Sequence, residues 1–236
     1  MNATIKNIRT DLSNSADETA RVNSQRFFKE EVLCYGVKGA VVRSIARKYY
    51  KEVAALDKGE IFALCEELFR SDLCEEAFVV GEWLPRIADR FEPGDLAIFE
   101  GWIERYINNW AKCDSFCNHT VGDFAQMYPE CLPRIIQWTG SGNRWMRRAA
   151  AVSLIIPARR GKFLPEILEM ADRLLTDSDD MVRKGYGWML KEASRLHQQE
   201  VFAYVVKHRK VMPRTALRYA IELMPKDLKA EAMKKG

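Results

Sequence analysis

The stretch W-M-R-R-A-A-A-V-S-L, residues 145–154, returns in outline as M-V-R-K-G-Y-G-W-M-L, residues 181–190. Arg147 falls on Arg183, Arg148 on Lys184 and Leu154 on Leu190, an offset of 36 residues (145 to 181). One step back of the same length puts Lys112 under Arg148, and a step of 35 forward from Arg183 reaches Arg218. A period in the high thirties on a helical background is the sequence pattern of stacked helix pairs. The identities are few, so a non-repetitive helical domain stays open at this point.

The background is helical. Ile61, Leu64, Cys65 and Leu68 recur at i, i+3, i+4 and i+7, and residues 163–175 repeat the pattern. The breaks are short: E-P-G-D at 92–95, T-G-S-G-N at 139–143 and T-D-S-D-D at 176–180, with Asn143 and Asp180 as candidate helix caps. Only 13 Gly and 8 Pro occur in 236 residues, and no strand pattern stands out. The expectation is an all-α, superhelical stack of HEAT-like antiparallel helix pairs. It forms one domain over residues 1–236, with residues 1–20 as a loose polar lead-in. In such a solenoid one helix of each pair lines a concave surface.

The net charge of +4, from 37 basic and 33 acidic residues, is too mild to identify a nucleic-acid binder by itself. Distribution matters more. Lys112, Arg147, Arg148, Arg183, Lys184 and Arg218 recur at related places, so they can gather into a basic stripe on the concave face, the footprint of a phosphate backbone. Ordinary solvated positions beside acids such as Asp180 and Glu192 explain the same spacing equally well.

Other chemistries find little support. No run of 18 apolar residues spans a membrane, and the N-terminus lacks the apolar core of a signal peptide, so a cytoplasmic location is expected. Cysteines 34, 65, 74, 113, 117 and 131 form no C-x-x-C pair and read as reduced thiols. Cys113 and Cys117 can face one ion, but His119 points elsewhere, so no metal is expected. No Walker loop, Rossmann fingerprint or nucleophile elbow occurs.

The tryptophans divide. Trp83, Trp102 and Trp138 read as core. Trp110 shares a helix face with Asp114, four residues on, in N-N-W-A-K-C-D-S-F-C-N-H (108–119). Trp188 follows Lys184 by one turn in R-K-G-Y-G-W. Gly185 and Gly187 each cost about 1 kcal/mol in a helix relative to Ala, so something approaches the backbone there, a ligand or a packed helix.

W-A-K-C-D (110–114), W-M-R-R-A-A (145–150) and G-W-M-L-K-E (187–192) together resemble the DNA alkylation repair enzymes of the AlkD type, HEAT-like repeat DNA glycosylases, over about residues 20 to 225. The resemblance implies roles. Asp114 is the catalytic carboxylate. Trp110 packs against the sugar of the damaged nucleotide, Trp188 forms the other wall, and Arg148 holds the backbone near the lesion. Phe27, in S-Q-R-F-F-K, stands where the family usually has a tyrosine facing DNA, and Ala111 replaces a common acidic residue. Lys112, Arg147, Arg183, Lys184 and Arg218 are the expected DNA-backbone contacts.

The expected function is therefore a cofactor-free, metal-free, monomeric, monofunctional glycosylase acting on double-stranded DNA containing alkylated bases, away from membranes. It excises purines made cationic by alkylation at N3 or N7. The alternatives are a non-catalytic HEAT-like module that binds DNA structures, and a protein–protein scaffold.

Overall fold

The computed structural model describes residues 2–234, which form helices and turns with no strand among them. In chain order the α-helices are α1 (Ala3–Asn14), α2 (Glu18–Gln25), α3 (Gly39–Val53), α4 (Lys58–Phe69), α5 (Cys74–Trp83), α6 (Asp95–Tyr106), α7 (Trp110–Phe116), α8 (Gly122–Met127), α9 (Leu132–Gln137), α10 (Arg144–Ser153), α11 (Ile155–Arg159), α12 (Leu164–Leu174), α13 (Asp180–Ala193), α14 (Gln198–His208), α15 (Arg214–Ala220) and α16 (Lys226–Met233). The all-α, HEAT-like expectation holds.

The repeat is visible in where the helices begin. α3, α5, α7, α10, α13 and α15 start at residues 39, 74, 110, 144, 180 and 214. Each start follows the last by 34 to 36 residues. Side-chain hydrogen bonds reach across a similar interval, 36 to 38 residues, joining one repeat to the next. Trp83 Nε1 donates to Ala46 O at 2.8 Å, the Tyr50 hydroxyl to Arg86 O at 3.2 Å, and Trp138 Nε1 to Glu100 Oε1 at 2.8 Å. A ring nitrogen of His197 meets Gly161 O at 3.0 Å.

The chain divides into two compact units, residues 1–92 with 105–116, and residues 93–104 with 117–236. In the first, α3 packs on α5 and α5 on α7, while α1 and α4 cover them. Its core holds Ile45, Ala46, Ile61, Leu68, Val80 and Trp83. In the second, α10 packs on α13 and α13 on α15, with α12 behind. Here Ala149, Val152, Ile167, Ala171, Tyr186 and Leu190 are fully buried.

Over the described residues 2–20 the expected loose lead-in is instead largely helix, packed through α1. Asn2 caps α1 by accepting the Thr4 N–H at 2.8 Å. Ile5, Ile8 and Leu12, at i, i+3 and i+7, are wholly buried, and Arg9 grips both carboxylate oxygens of the buried Glu76 at 3.1 Å. Three apolar residues in a polar stretch make a weak signal, yet they suffice for a stripe one helix wide. Asn143 caps α10 as expected, but α13 is capped by Asp179, which accepts from Met181 N and Val182 N. Asp180 is the first helical residue instead.

Candidate active site

Close approach between repeats fixes the register of these helices. A Cβ built on Gly81, the eighth residue of α5, would lie 2.4 Å from Ser115 Oγ and 2.8 Å from its carbonyl oxygen; Ser115 is the sixth residue of α7. Gly187, the eighth residue of α13, relates in the same way to Tyr219, the sixth of α15, whose Cβ would lie 2.8 Å away. Gly187 therefore admits a packed helix. Gly185 instead makes room for Arg148, whose Cγ would be 3.3 Å from an added Cβ.

In this register the fifth residues of the six helices are Arg43, Phe78, Asp114, Arg148, Lys184 and Arg218. The offset of 36 read from sequence set Lys112 against Arg148, whereas the helix starts set Asp114 there. Two residues on a helix are about 200° of rotation. Lys112 accordingly turns inward.

In the first unit, Asn109 precedes α7 and caps it. Its side-chain oxygen accepts the Lys112 N–H at 3.0 Å, and its amide meets Cys74 Sγ at 3.6 Å, tying the helix to α5. Burial pushes the Cys74 thiol up to about 11. Lys112, Cys113 and Phe116 turn into the core. Trp110 and Asp114 are left half-buried on another face, one turn apart. Phe28 stacks on Trp110, with centroids 5.2 Å apart and planes at 21°. The Trp110 indole N–H donates to the Phe27 carbonyl at 3.3 Å, while the Phe27 ring is 75% exposed. The aromatic residue that meets Trp110 is thus Phe28, with Phe27 supplying backbone and an outward ring.

In the second unit, Arg148 is buried and donates to Met181 O, at the start of α13. Trp188 is half-buried, and its indole N–H donates to Glu192 Oε1 at 3.3 Å. The other Glu192 oxygen accepts from Arg159 Nε at 2.8 Å and Arg195 Nε at 2.6 Å. Burial opposes the charge of Glu192, but these hydrogen bonds outweigh it and hold its carboxyl below the ordinary glutamate value. Trp83, Trp102 and Trp138 are core residues as expected, and Trp145 joins them.

The stripe of cations needs correction. Lys112 is 2% exposed and bound to Asp72 through both the carboxylate and the carbonyl, the latter at 2.7 Å. It serves as a buried joint between α7 and the turn before α5. Arg147 pairs with Asp177 at 2.6 Å, Arg183 donates to the Asp177 carbonyl at 2.5 Å, and Lys184 pairs with Asp180 at 2.9 Å. Arg218 is exposed. Most of the cations that recur with the repeat thus already meet a carboxylate or a carbonyl of the protein. Several are therefore engaged in joining helices to neighbouring loops. Sequence reasoning missed Arg43, an exposed fifth residue of α3, because it is the spacing of the helix starts that aligns it with Asp114.

Among the described residues no group of three or more His, Cys, Asp or Glu is placed to hold a metal ion, and no helix is long and apolar enough to cross a membrane. No curated protein matches the chain. A solved structure described as a predicted DNA alkylation repair enzyme from Enterococcus faecalis shares the fold, with a TM-score of 0.80 at 16% identity, over 90% of this chain and 98% of that one. The family model of the DNA alkylation repair enzymes matches residues 8–224. With nearly its whole length covered by that model, this chain belongs to the DNA alkylation repair enzyme family.

Proposed function

We propose that the chain is a monofunctional DNA glycosylase that excises positively charged N3- or N7-alkylated purines from duplex DNA by hydrolysing the N-glycosidic bond. The carrying observation is Asp114. It is a half-buried carboxylate one turn from half-buried Trp110, at the helix position that holds Arg43, Arg148, Lys184 and Arg218 in other repeats. A module that only grips phosphates gains nothing from an anion at that position and loses by repulsion.

The chemistry suits one carboxylate. Alkylation at N3 or N7 gives the base a formal positive charge, so it leaves as a neutral molecule and needs no general acid. The developing charge is on the sugar, which becomes oxocarbenium-like. Asp114 stabilises that cation and orients the attacking water. An indole face attracts cationic character, so Trp110, one turn from Asp114, favours the transition state and keeps bulk water from that carboxylate, and the family resemblance gives Trp188 the part of a second wall. The exposed cations hold phosphates and fix the register on the duplex, while buried Arg148 braces the start of α13 through Met181 O. No lysine acts as a Schiff-base nucleophile, so the strand stays uncut. The reading takes residues 1–236 as one HEAT-like domain, working as a cytoplasmic monomer without cofactor.

Release of 7-methylguanine from a methylated duplex tests this, comparing wild type with Asp114→Asn at equal DNA occupancy. Release by wild type and its loss in the variant, with binding retained, is the expected result. A folded wild type that binds DNA and releases no base turns the reading to a non-catalytic DNA-binding module.

A further inference from the structure

Arg159, the last residue of α11, and Arg195, just beyond α13, converge on one atom. Both place Nε on the same oxygen of Glu192, at 2.8 and 2.6 Å. The Glu192 side chain is 3% exposed, while those of Arg159 and Arg195 are 49% and 44% exposed. One guanidinium balances one carboxylate; the second leaves a local surplus of one positive charge. Each arginine bonds Glu192 through Nε alone, so the terminal amino groups of two adjacent guanidiniums remain available toward solvent. Planar, paired guanidiniums match the oxygens of a phosphate diester.

We infer that Arg159 and Arg195 form a phosphate site for duplex DNA, preorganised by the buried Glu192 and tied through it to Trp188. The buried carboxylate removes most of the ordering cost that two long side chains would otherwise meet on binding. Its second oxygen holds the Trp188 indole N–H, so the same residue fixes a phosphate anchor and one proposed wall of the reaction site. The inference rests on the reading of the chain as a DNA-acting protein.

The test is the salt dependence of binding to an unmodified duplex, for the full chain and for R159Q, R195Q and the triple variant R159Q/E192Q/R195Q. The triple variant removes the buried charge together with its partners, so it is the form expected to fold if a single change does not. Each phosphate contact adds about 0.9 to the slope of log K against log salt. Each single variant is expected to lower that slope by about 0.9 and the triple variant by about 1.8. Unchanged slopes in the folded triple variant overturn the inference. Base release by wild type, measured alongside, separates the two claims. Release with unchanged slopes sinks this site alone. Lowered slopes without release keep the site and sink the glycosylase reading. A folded wild type that binds no DNA overturns both.

Discussion

Phe28 lies stacked on Trp110, 5.2 Å between centroids, and the backbone of Phe27 accepts the indole N–H. The segment after α2 therefore sets the orientation of the proposed sugar-facing tryptophan. An aromatic stack of this kind contributes about 0.5–1.5 kcal/mol beyond buried area. Phe28→Ala is expected to slow release of 7-methylguanine by about 2- to 10-fold and to shift Trp110 fluorescence. Phe27→Ala keeps that fluorescence and weakens DNA binding instead. Equal fluorescence in wild type and Phe28→Ala would show that the stack does not hold Trp110.

Lys112 and Arg43 separate a buried joint from a surface cation. Lys112→Met leaves the Asp72 carbonyl without its ammonium donor, at a cost of about 1–3 kcal/mol in stability. DNA affinity and its salt slope are expected to stay near wild type, because that ammonium is already engaged inside the protein. Arg43→Gln should do the reverse: unchanged urea midpoint, and a salt slope lower by about 0.9. Matching slopes for the two variants would contradict the register drawn from the helix starts.

Much of the fold is legible in sequence because helical periodicity is local, and the family motifs around Trp110, Arg148 and Trp188 are distinctive. The basic stripe was legible only in part. Spacing tells which residues recur, but a two-residue slip turns Lys112 from solvent to core, and the atoms that fix the register belong to glycines and their neighbours. The partners that engage Arg147, Arg183 and Lys184 are Asp177, in the loop before α13, and Asp180, its first residue, and charge composition does not reveal who meets whom. Helix α1 escaped notice because its core face rests on three residues.

Gly187→Ala forces a methyl to within 2.9 Å of the Ala216 carbonyl oxygen and 2.8 Å of Tyr219 Cβ. Backbone of α15 cannot move aside as a flexible side chain would. Overpacking of this kind costs about 1–3 kcal/mol, and against unyielding backbone the upper part of that range exceeds the gain in helix propensity of about 1 kcal/mol from replacing glycine. A lower melting temperature is expected. Gly94→Ala, where no atom lies within 4 Å, serves as the control and should leave the melting temperature close to wild type. A stabilised Gly187→Ala would show that α13 and α15 are not in close contact.

Carboxyls held below their ordinary values shape the acid limb of stability, Asp11 and Glu192 among them. The Lys48 ammonium and then the Tyr49 hydroxyl hold Asp11 below the ordinary aspartate value. Glu192 is lowered because its arginine hydrogen bonds outweigh burial. A carboxyl with a lowered folded-state value adds stability that is complete above its unfolded value, about 3.9 for Asp and 4.3 for Glu. That stability is lost as the pH falls through the folded value, because the unfolded chain takes up the proton first. Melting temperature should therefore hold from neutral pH to about 5 and fall below it. Glu192→Gln, which keeps an oxygen for Trp188 Nε1 but carries no titrating group, should melt lower at neutral pH and lose less on acidification. Parallel acid limbs for wild type and Glu192→Gln would mean that the charge of Glu192 does not stabilise the folded chain.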